Sequence, residues 1–382
     1  MSANEWRTHN PSGGKRVVVT KELPGDRWLK VLAQAGCKTE VCTSTDILTK
    51  DEIKAAIGDQ CDGVIGQLTE DWGEPLFSAL KTAGGKAYSN YAVGFNNVDV
   101  GAATKLGIPV GNTPGVLTDT TAEMAVSLTF STARRVVEAD RFMRGGNYKG
   151  WLPSLFLGEL LKGRTVGVIG AGRIGATYGR MMVEGFKMNL IYYDIYQNSA
   201  LEEYLEAYAA LLTSRGEEAV SCRRADSVEE VLKTADVVSL HPVLDETTHH
   251  LMNSERLALM KENAILVNAS RGPVINETDL VAHCKDHPRF RVGLDVFEDE
   301  PEMKPGLSDL SNVVIVPHIA SATDWTREGM ATLAASNVGG ILNGYPAWHD
   351  PNNVLDFLED DPPKAAPSIV NAGDVGVSTS SA

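Results

Sequence analysis

Cationic residues are scarce in this chain: 35 Lys and Arg stand against 50 Asp and Glu, a formal charge of −15 over 382 residues. A protein so acidic lacks the broad basic surface that holds nucleic acid or an anionic membrane, so neither is expected as a partner. Any anionic ligand must be held by a few local groups. Cysteine is sparse as well. The five thiols (Cys37, Cys42, Cys61, Cys222, Cys284) are odd in number and lack C-x-x-C spacing, which argues for a reducing compartment and against a structural metal. No apolar run approaches a membrane span, and residues 1–5 show no basic-apolar leader. The chain reads as soluble and is long enough for two hydrophobic cores.

Short β-branched runs alternate with helical segments from the start, at residues 16–20, 62–66, 87–90 and 109–111, which is the rhythm of parallel α/β structure. Apolar residues at helical spacing then predict one long helix from about 120 to 144. A second α/β series follows, with strands expected at 166–169, 190–193, 237–240, 264–267, 292–294 and 313–316. Six strands suit a doubly wound sheet. Residues 197–235, with an amphipathic helix expected at 201–212, exceed a minimal unit of this kind. A helix at 325–342 is expected to return the chain to the first domain, and the Pro-, Ser- and Gly-rich end from Glu359 has too little apolar content to order itself. The expected division is 1–120, first domain; 121–319, second domain; 320–358, return to the first; 359–382, disordered tail.

The second series opens on Thr165-Val-Gly-Val-Ile-Gly170-Ala-Gly172-Arg-Ile-Gly175, with Asp194 nineteen residues beyond the last glycine. Glycines in this pattern allow a tight turn at Gly170, approach of a pyrophosphate at Gly172 and close helix packing at Gly175. The helix N-terminus then binds phosphate. Asp194 ends the next strand, where a carboxylate accepts hydrogen bonds from an adenosine ribose and repels a 2′-phosphate. NAD(H) is therefore expected, with NADP(H) less favoured, although Arg223 and Arg224 could approach a phosphate.

Ligands of open α/β sheets bind beyond the carboxyl ends of the strands. Arg271, Asp295, Glu300 and His318 each follow an expected strand there. A carbonyl that accepts hydride needs a proton donor near neutral pKa, and His318 has the right chemistry, with Glu300 favouring its protonated form. Arg271 can fork a carboxylate and polarise the adjoining carbonyl. Together these residues point to a small 2-oxo or 2-hydroxy acid. Taken singly, each has a plain reading: His318 a surface histidine, Arg271 an ion-pair partner, Glu300 a turn cap, Asp295 a strand-end turn former. His241 and Pro242 end a strand on the cofactor side, and Thr121 and Pro242 are counted with the cofactor contacts.

With those residues, the segments Asp62-Gly-Val-Ile-Gly-Gln-Leu-Thr-Glu-Asp-Trp72, Val93-Gly-Phe-Asn-Asn-Val-Asp99 and Asn112-Thr-Pro-Gly-Val-Leu-Thr-Asp-Thr-Thr-Ala-Glu123 resemble the D-isomer-specific 2-hydroxyacid dehydrogenases, in their plant-type hydroxypyruvate reductase branch. The resemblance runs from about Arg16 to Asn352. It implies two Rossmann/flavodoxin-like parallel-sheet domains with cofactor and substrate in an interdomain cleft, and reduction of hydroxypyruvate to D-glycerate with glyoxylate as a weaker substrate. It further implies Arg271, Glu300 and His318 as the catalytic residues, Arg173 and Ile174 at the pyrophosphate, Ala269 and Ser270 beside the nicotinamide, and Asp295 on its carboxamide. Val93 and Gly94 would bind the substrate carboxylate through their backbone, Leu68 would wall the pocket, and Trp151 would reach the partner's pocket in a homodimer. Other readings on the same fold are a phosphoglycerate dehydrogenase and an NAD-sensing corepressor. Ser380-Ser-Ala382 is not a peroxisomal tripeptide of the S-K-L type, so the resemblance alone carries the expectation of an organelle, peroxisome or mitochondrion, with the cytoplasm as the alternative.

Overall fold

The computed structural model describes residues 5–381; residues 1–4, which open the segment read for a leader, and Ala382, the last of the terminal tripeptide, lie outside it. The chain divides into two compact units. One comprises the described residues up to Leu117 and those from Ala322 on; the other is Thr118–Ser321. These limits fall within three residues of the sequence boundaries.

In the first unit, strands β1 (Trp6–His9), β2 (Lys15–Val19), β3 (Cys37–Cys42), β4 (Gly63–Gly66), β5 (Ala87–Asn90) and β6 (Val110–Gly111) form a sheet in the order β1-β3-β2-β4-β5-β6. Only β1, one of the two strands that patterning missed, runs antiparallel to its neighbour; β3 is the other. Helices α1 (Arg27–Gln34), α2 (Lys50–Ile57), α3 (Glu74–Thr82) and α4 (Val100–Lys105) connect the strands. Local chemistry sets their ends: Thr49 and Glu52 form a capping box on α2, and Pro75 opens α3.

The second unit begins with α5 (Thr118–Ala133) and α6 (Val136–Arg144). One continuous helix was expected here. Arg135 instead takes a left-handed conformation at φ 55°, held by a two-pronged ion pair with Glu138, and the helix breaks. Strands β7 (Thr165–Ile169), β8 (Asn189–Tyr193), β9 (Cys222–Arg224), β10 (Val237–Leu240), β11 (Ile265–Asn268), β12 (Arg291–Leu294) and β13 (Val313–Ile315) follow, with helices α7 (Arg173–Phe186), α8 (Ser199–Ser214), α9 (Val228–Thr234), α10 (Ser254–Leu257) and α11 (Glu277–Asp286). The sheet is wholly parallel, in the order β13-β12-β11-β10-β7-β8-β9. Seven strands replace the six expected, because the segment taken as extra also supplies β9 at the sheet edge. Strand order reverses between β7 and β10, where a doubly wound sheet opens its ligand crevice. Two buried apolar clusters cover the two faces, one around Val231, Leu266 and Phe290, the other around Val168, Tyr178 and Val267.

Helix α12 (Asp324–Leu342) returns to the first unit, where its small residues let it bury most of its length. The tail is a correction. Residues 359–381 were expected to be disordered, yet Ala365, Ala366, Ser368 and Asn371 are buried. Asn371 Oδ1 accepts from the Val110 amide at 2.8 Å, the Val370 amide donates to Val110 O, and Ile369 bridges Gly111. The tail thus occupies the open edge of β6. Composition misses this because polar side chains satisfying a strand edge, not apolar area, hold the segment. Among the described residues no helix is long and apolar enough to cross a membrane.

Candidate active site

The turn after β7 is built for close approach. Gly170 lies at φ +90°, and a Cβ there would stand 2.6 Å from the His241 carbonyl carbon. A Cβ on Gly175 would stand 2.0 Å from Gly170 O, so α7 packs on the turn only because residue 175 is glycine. At Gly172, by contrast, nothing lies within 4 Å. Gly172 is also the N-cap of α7 and no side chain caps it, so the first amides of the helix, at Arg173 and Ile174, remain available to an anion. Asn198, which sequence reasoning did not select, donates from Nδ2 to Ala171 O at 2.8 Å and fixes the turn from the far side. These features fit a dinucleotide pyrophosphate.

Asp194 follows β8, and its Oδ1 accepts from the Tyr196 amide at 3.1 Å. Arg224 donates to the Asp194 and Ile195 carbonyls, while Arg223 pairs with Glu230. Pro242 follows β10 and Thr121 lies in the first turns of α5, 5% exposed.

The remaining charged residues follow β11, β12 and β13. His318 Nδ1 meets Glu300 Oε2 at 2.8 Å, and Glu300 Oε1 accepts from the Phe297 amide. Burial opposes the Glu300 charge, but the His318 hydrogen bond and charge, the Phe297 amide and the charge of Arg271 outweigh it and hold the carboxyl below the ordinary glutamate range. Burial lowers the Arg271 guanidinium, and Glu300 works against that shift. Arg271, Glu300 and His318 are therefore one electrostatic group at the carboxyl ends of three neighbouring strands. The turn that carries His318 is unusual. His318 has φ 51°, a conformation costly for a residue with a Cβ, and its amide donates to Asp295 O.

Asp295 steadies this turn from within. Its side chain has no exposed surface, and its two oxygens accept from the Ile319 and Ala320 amides at 2.6 and 2.9 Å. The carboxylate fixes the His318 turn. Burial raises its pKa against the pull of those amides. Asn268, also unselected, does the same for Arg271. Buried at the end of β11, it accepts from the Ser270 amide and hydroxyl and donates to Arg271 O at 2.9 Å. A buried polar residue closing an apolar strand was the signal available in the sequence. Ala269 and Ser270 lie between the two.

In the first unit, Val93 and Gly94 lie in the turn beyond β5. Their carbonyls are held by Asn112 and Asn90 at 2.8 and 3.0 Å, and their amides have no partner among the described residues. Leu68, after β4, is 38% exposed. Trp151 lies between α6 and β7, 80% exposed. Among the described residues no group of three or more His, Cys, Asp or Glu could hold a metal.

Comparison with known proteins accords with this geometry. The sequence model of the D-isomer specific 2-hydroxyacid dehydrogenase NAD binding domain matches residues 126–320. Peroxisomal glycerate dehydrogenase HPR of Arabidopsis thaliana is 64% identical over 375 residues, 97% of this chain and 97% of that protein. A glyoxylate reductase of Thermococcus litoralis is 43% identical over 284 residues, 73% of this chain and 80% of its own. Among solved structures, the TT0316 protein of Thermus thermophilus superposes with a TM-score of 0.77 at 34% identity, covering 93% of this chain and 99% of that one. This chain belongs to the D-isomer-specific 2-hydroxyacid dehydrogenase family, and is an oxidoreductase that uses a nicotinamide dinucleotide on small hydroxy or oxo acids.

Proposed function

We propose that the protein reduces hydroxypyruvate to D-glycerate with NADH, and glyoxylate to glycolate more slowly. The observation that carries this reading is the 2.8 Å contact of His318 Nδ1 with Glu300, in a chain 64% identical to a protein named glycerate dehydrogenase. The nicotinamide, when bound, supplies a hydride to the substrate carbonyl. With Nδ1 engaged by Glu300, Nε2 of His318 is the nitrogen left to protonate the carbonyl oxygen, and the carboxylate stabilises the charged ring before transfer. Arg271 forks the substrate carboxylate and draws charge toward the developing alkoxide. The free amides of Val93 and Gly94 suit a carboxylate as well, and Leu68 gives the substrate an apolar contact. Gly170, Gly172, Arg173, Ile174 and Gly175 take the pyrophosphate, Asp194 the adenosine ribose, and Thr121, Pro242, Ala269 and Ser270 the rest of the cofactor.

The preference for NADH rests on Asp194 and on its two neighbouring arginines being occupied, Arg223 by Glu230 and Arg224 by backbone carbonyls. Consumption of NADH and NADPH over a panel of 2-oxo acids tests the whole reading. Hydroxypyruvate with NADH should give the highest kcat/KM; a higher value for pyruvate, or for NADPH, would overturn it.

A homodimer is part of the same reading. Met143, Tyr148, Trp151, Leu152, Leu157 and Leu160 are 48–80% exposed within one stretch of chain, and exposed apolar residues gathered together mark association surfaces. Light scattering that returned the mass of a single 41.1 kDa chain at micromolar concentration would refute it. The peroxisomal relative favours an organelle as the compartment.

A further inference from the structure

Glu300 lies on no regular element. It sits in the loop between β12 and β13, and a hydrogen bond to His318 that is 2.8 Å long needs that loop held to a fraction of an ångström. The loop is held by one buried carboxylate. Glu277, the first residue of α11, is 3% exposed. Its Oε2 accepts from the Glu298 amide at 2.9 Å and its Oε1 from the Lys304 amide at 2.7 Å, so both ends of the stretch around Glu300 hang from the same side chain. Glu298 returns the contact: its Oε2 accepts from the Glu277 amide at 2.9 Å, and its Oε1 meets His250 Nε2 at 2.8 Å. Two carboxylates this close repel one another. The paired amides, the imidazole and Lys304, whose Nζ lies 4.0 Å from Glu298 Oε1, offset that repulsion, and the first turn of α11 favours negative charge.

The same brace reaches the loop that carries Arg271. A Cβ on Gly272 would stand 1.7 Å from Phe297 O, so the backbone of the Glu300 loop lies directly on the residue after Arg271. The amide of His250 donates to Pro273 O at 2.8 Å, which fastens the His250 end of the brace to that same loop. None of these contacts is needed to build the sheet. They tie the Glu300 loop, the start of α11, the His250 segment and the loop after Arg271 to one another.

We infer that Glu277, Glu298 and His250 are positioning residues for the reduction: they fix Glu300 against His318 and Arg271. The inference rests on the reading of the His318–Glu300 pair as the proton donor. Glu277→Gln places an amide group against the Glu298 or Lys304 amide and releases one end of the loop. Turnover should fall about 10- to 100-fold with NADH affinity unchanged, and the alkaline limb of the pH profile for reduction should move toward lower pH, as in Glu300→Gln. Because both substitutions act through one contact, the double variant should lose little more than Glu300→Gln alone. Additive losses, or a fall in melting temperature with the pH limb unmoved, would overturn the inference. If Glu277→Gln does not fold, His250→Ala, at the more exposed end of the brace, is judged by the same readings. An unaltered Glu300→Gln enzyme would instead overturn the reading of the proton donor, which keeps the two failures apart.

Discussion

The two units of this chain share an architecture and differ in what stands at the carboxyl ends of their strands. In the first unit those ends are finished by amides: Asn90 and Asn112 hold the carbonyls of Val93 and Gly94, and the carboxyl that follows β4, Glu70, is buried and taken up by the Gln67 amide and the Trp72 indole. In the second they carry Arg271, Glu300 and His318, steadied by buried polar residues, Asn268, Asp295 and Glu277. The edges differ in the same way. In the first unit the chain's own tail closes the edge at β6, and in the second β9 extends the sheet. A parallel sheet supplies a rim in both cases. Chemistry appears where charged side chains on that rim are held in fixed geometry by neighbours that are themselves fully satisfied.

The sharpest way to break this contrast is His318→Ala, which should lose roughly two to four decades of turnover while dinucleotide binding survives; isothermal titration with NADH beside steady-state rates decides it, and normal turnover would remove His318 from the chemistry. Glu300→Gln should act less strongly, by about one to two decades, and displace the alkaline limb of the reduction profile to lower pH. A limb that stays in place would leave Glu300 as a loop residue only.

Two further tests read stability. Burial pushes His241, whose Nε2 meets Ser239 Oγ at 2.8 Å, down to about 3 from 6.5. Its folded form therefore resists a proton that the unfolded chain accepts, so stability is lost as the pH falls from about 6.5 toward 3. Urea unfolding across that window should show a shallower slope in His241→Gln than in the parent, and parallel slopes would count against a neutral buried imidazole. In the first unit, Asn371→Ala strips the Val110 amide of its acceptor, at a cost of about 1–3 kcal/mol. Hydrogen exchange should then quicken around Val110 while NADH binding, a property of the second unit, stays as it was; exchange unchanged at Val110 would mean that the tail does not protect the edge of β6.

Much of this was legible in the residues themselves. Apolar runs of four or five residues marked the central strands of both sheets, the glycine spacing from Gly170 to Gly175 marked the tight turn after β7, and the charged residues after each strand marked the rim. What escaped patterning was held by contacts distant in sequence. β1 is mostly exposed and β9 lies at an edge, so neither has the apolar signature of a buried strand. The break between α5 and α6 depends on one arginine accepting a left-handed conformation, which helical periodicity cannot register. The tail is ordered by Ser368 and Asn371 meeting backbone and side chains some 250 residues away.

The sequence alone determined the α/β class, the glycine turn after β7 and the charged residues at the rim of the second sheet, because strand periodicity, glycine's freedom from Cβ clashes and the functional groups of side chains are properties of local chain chemistry. Only the tertiary structure decided that Asp295 faces the His318 turn and that Glu277 and Glu298 grip the Glu300 loop. A carboxylate's role depends on which amides and charges it meets, and folding brings those partners together across tens to hundreds of residues.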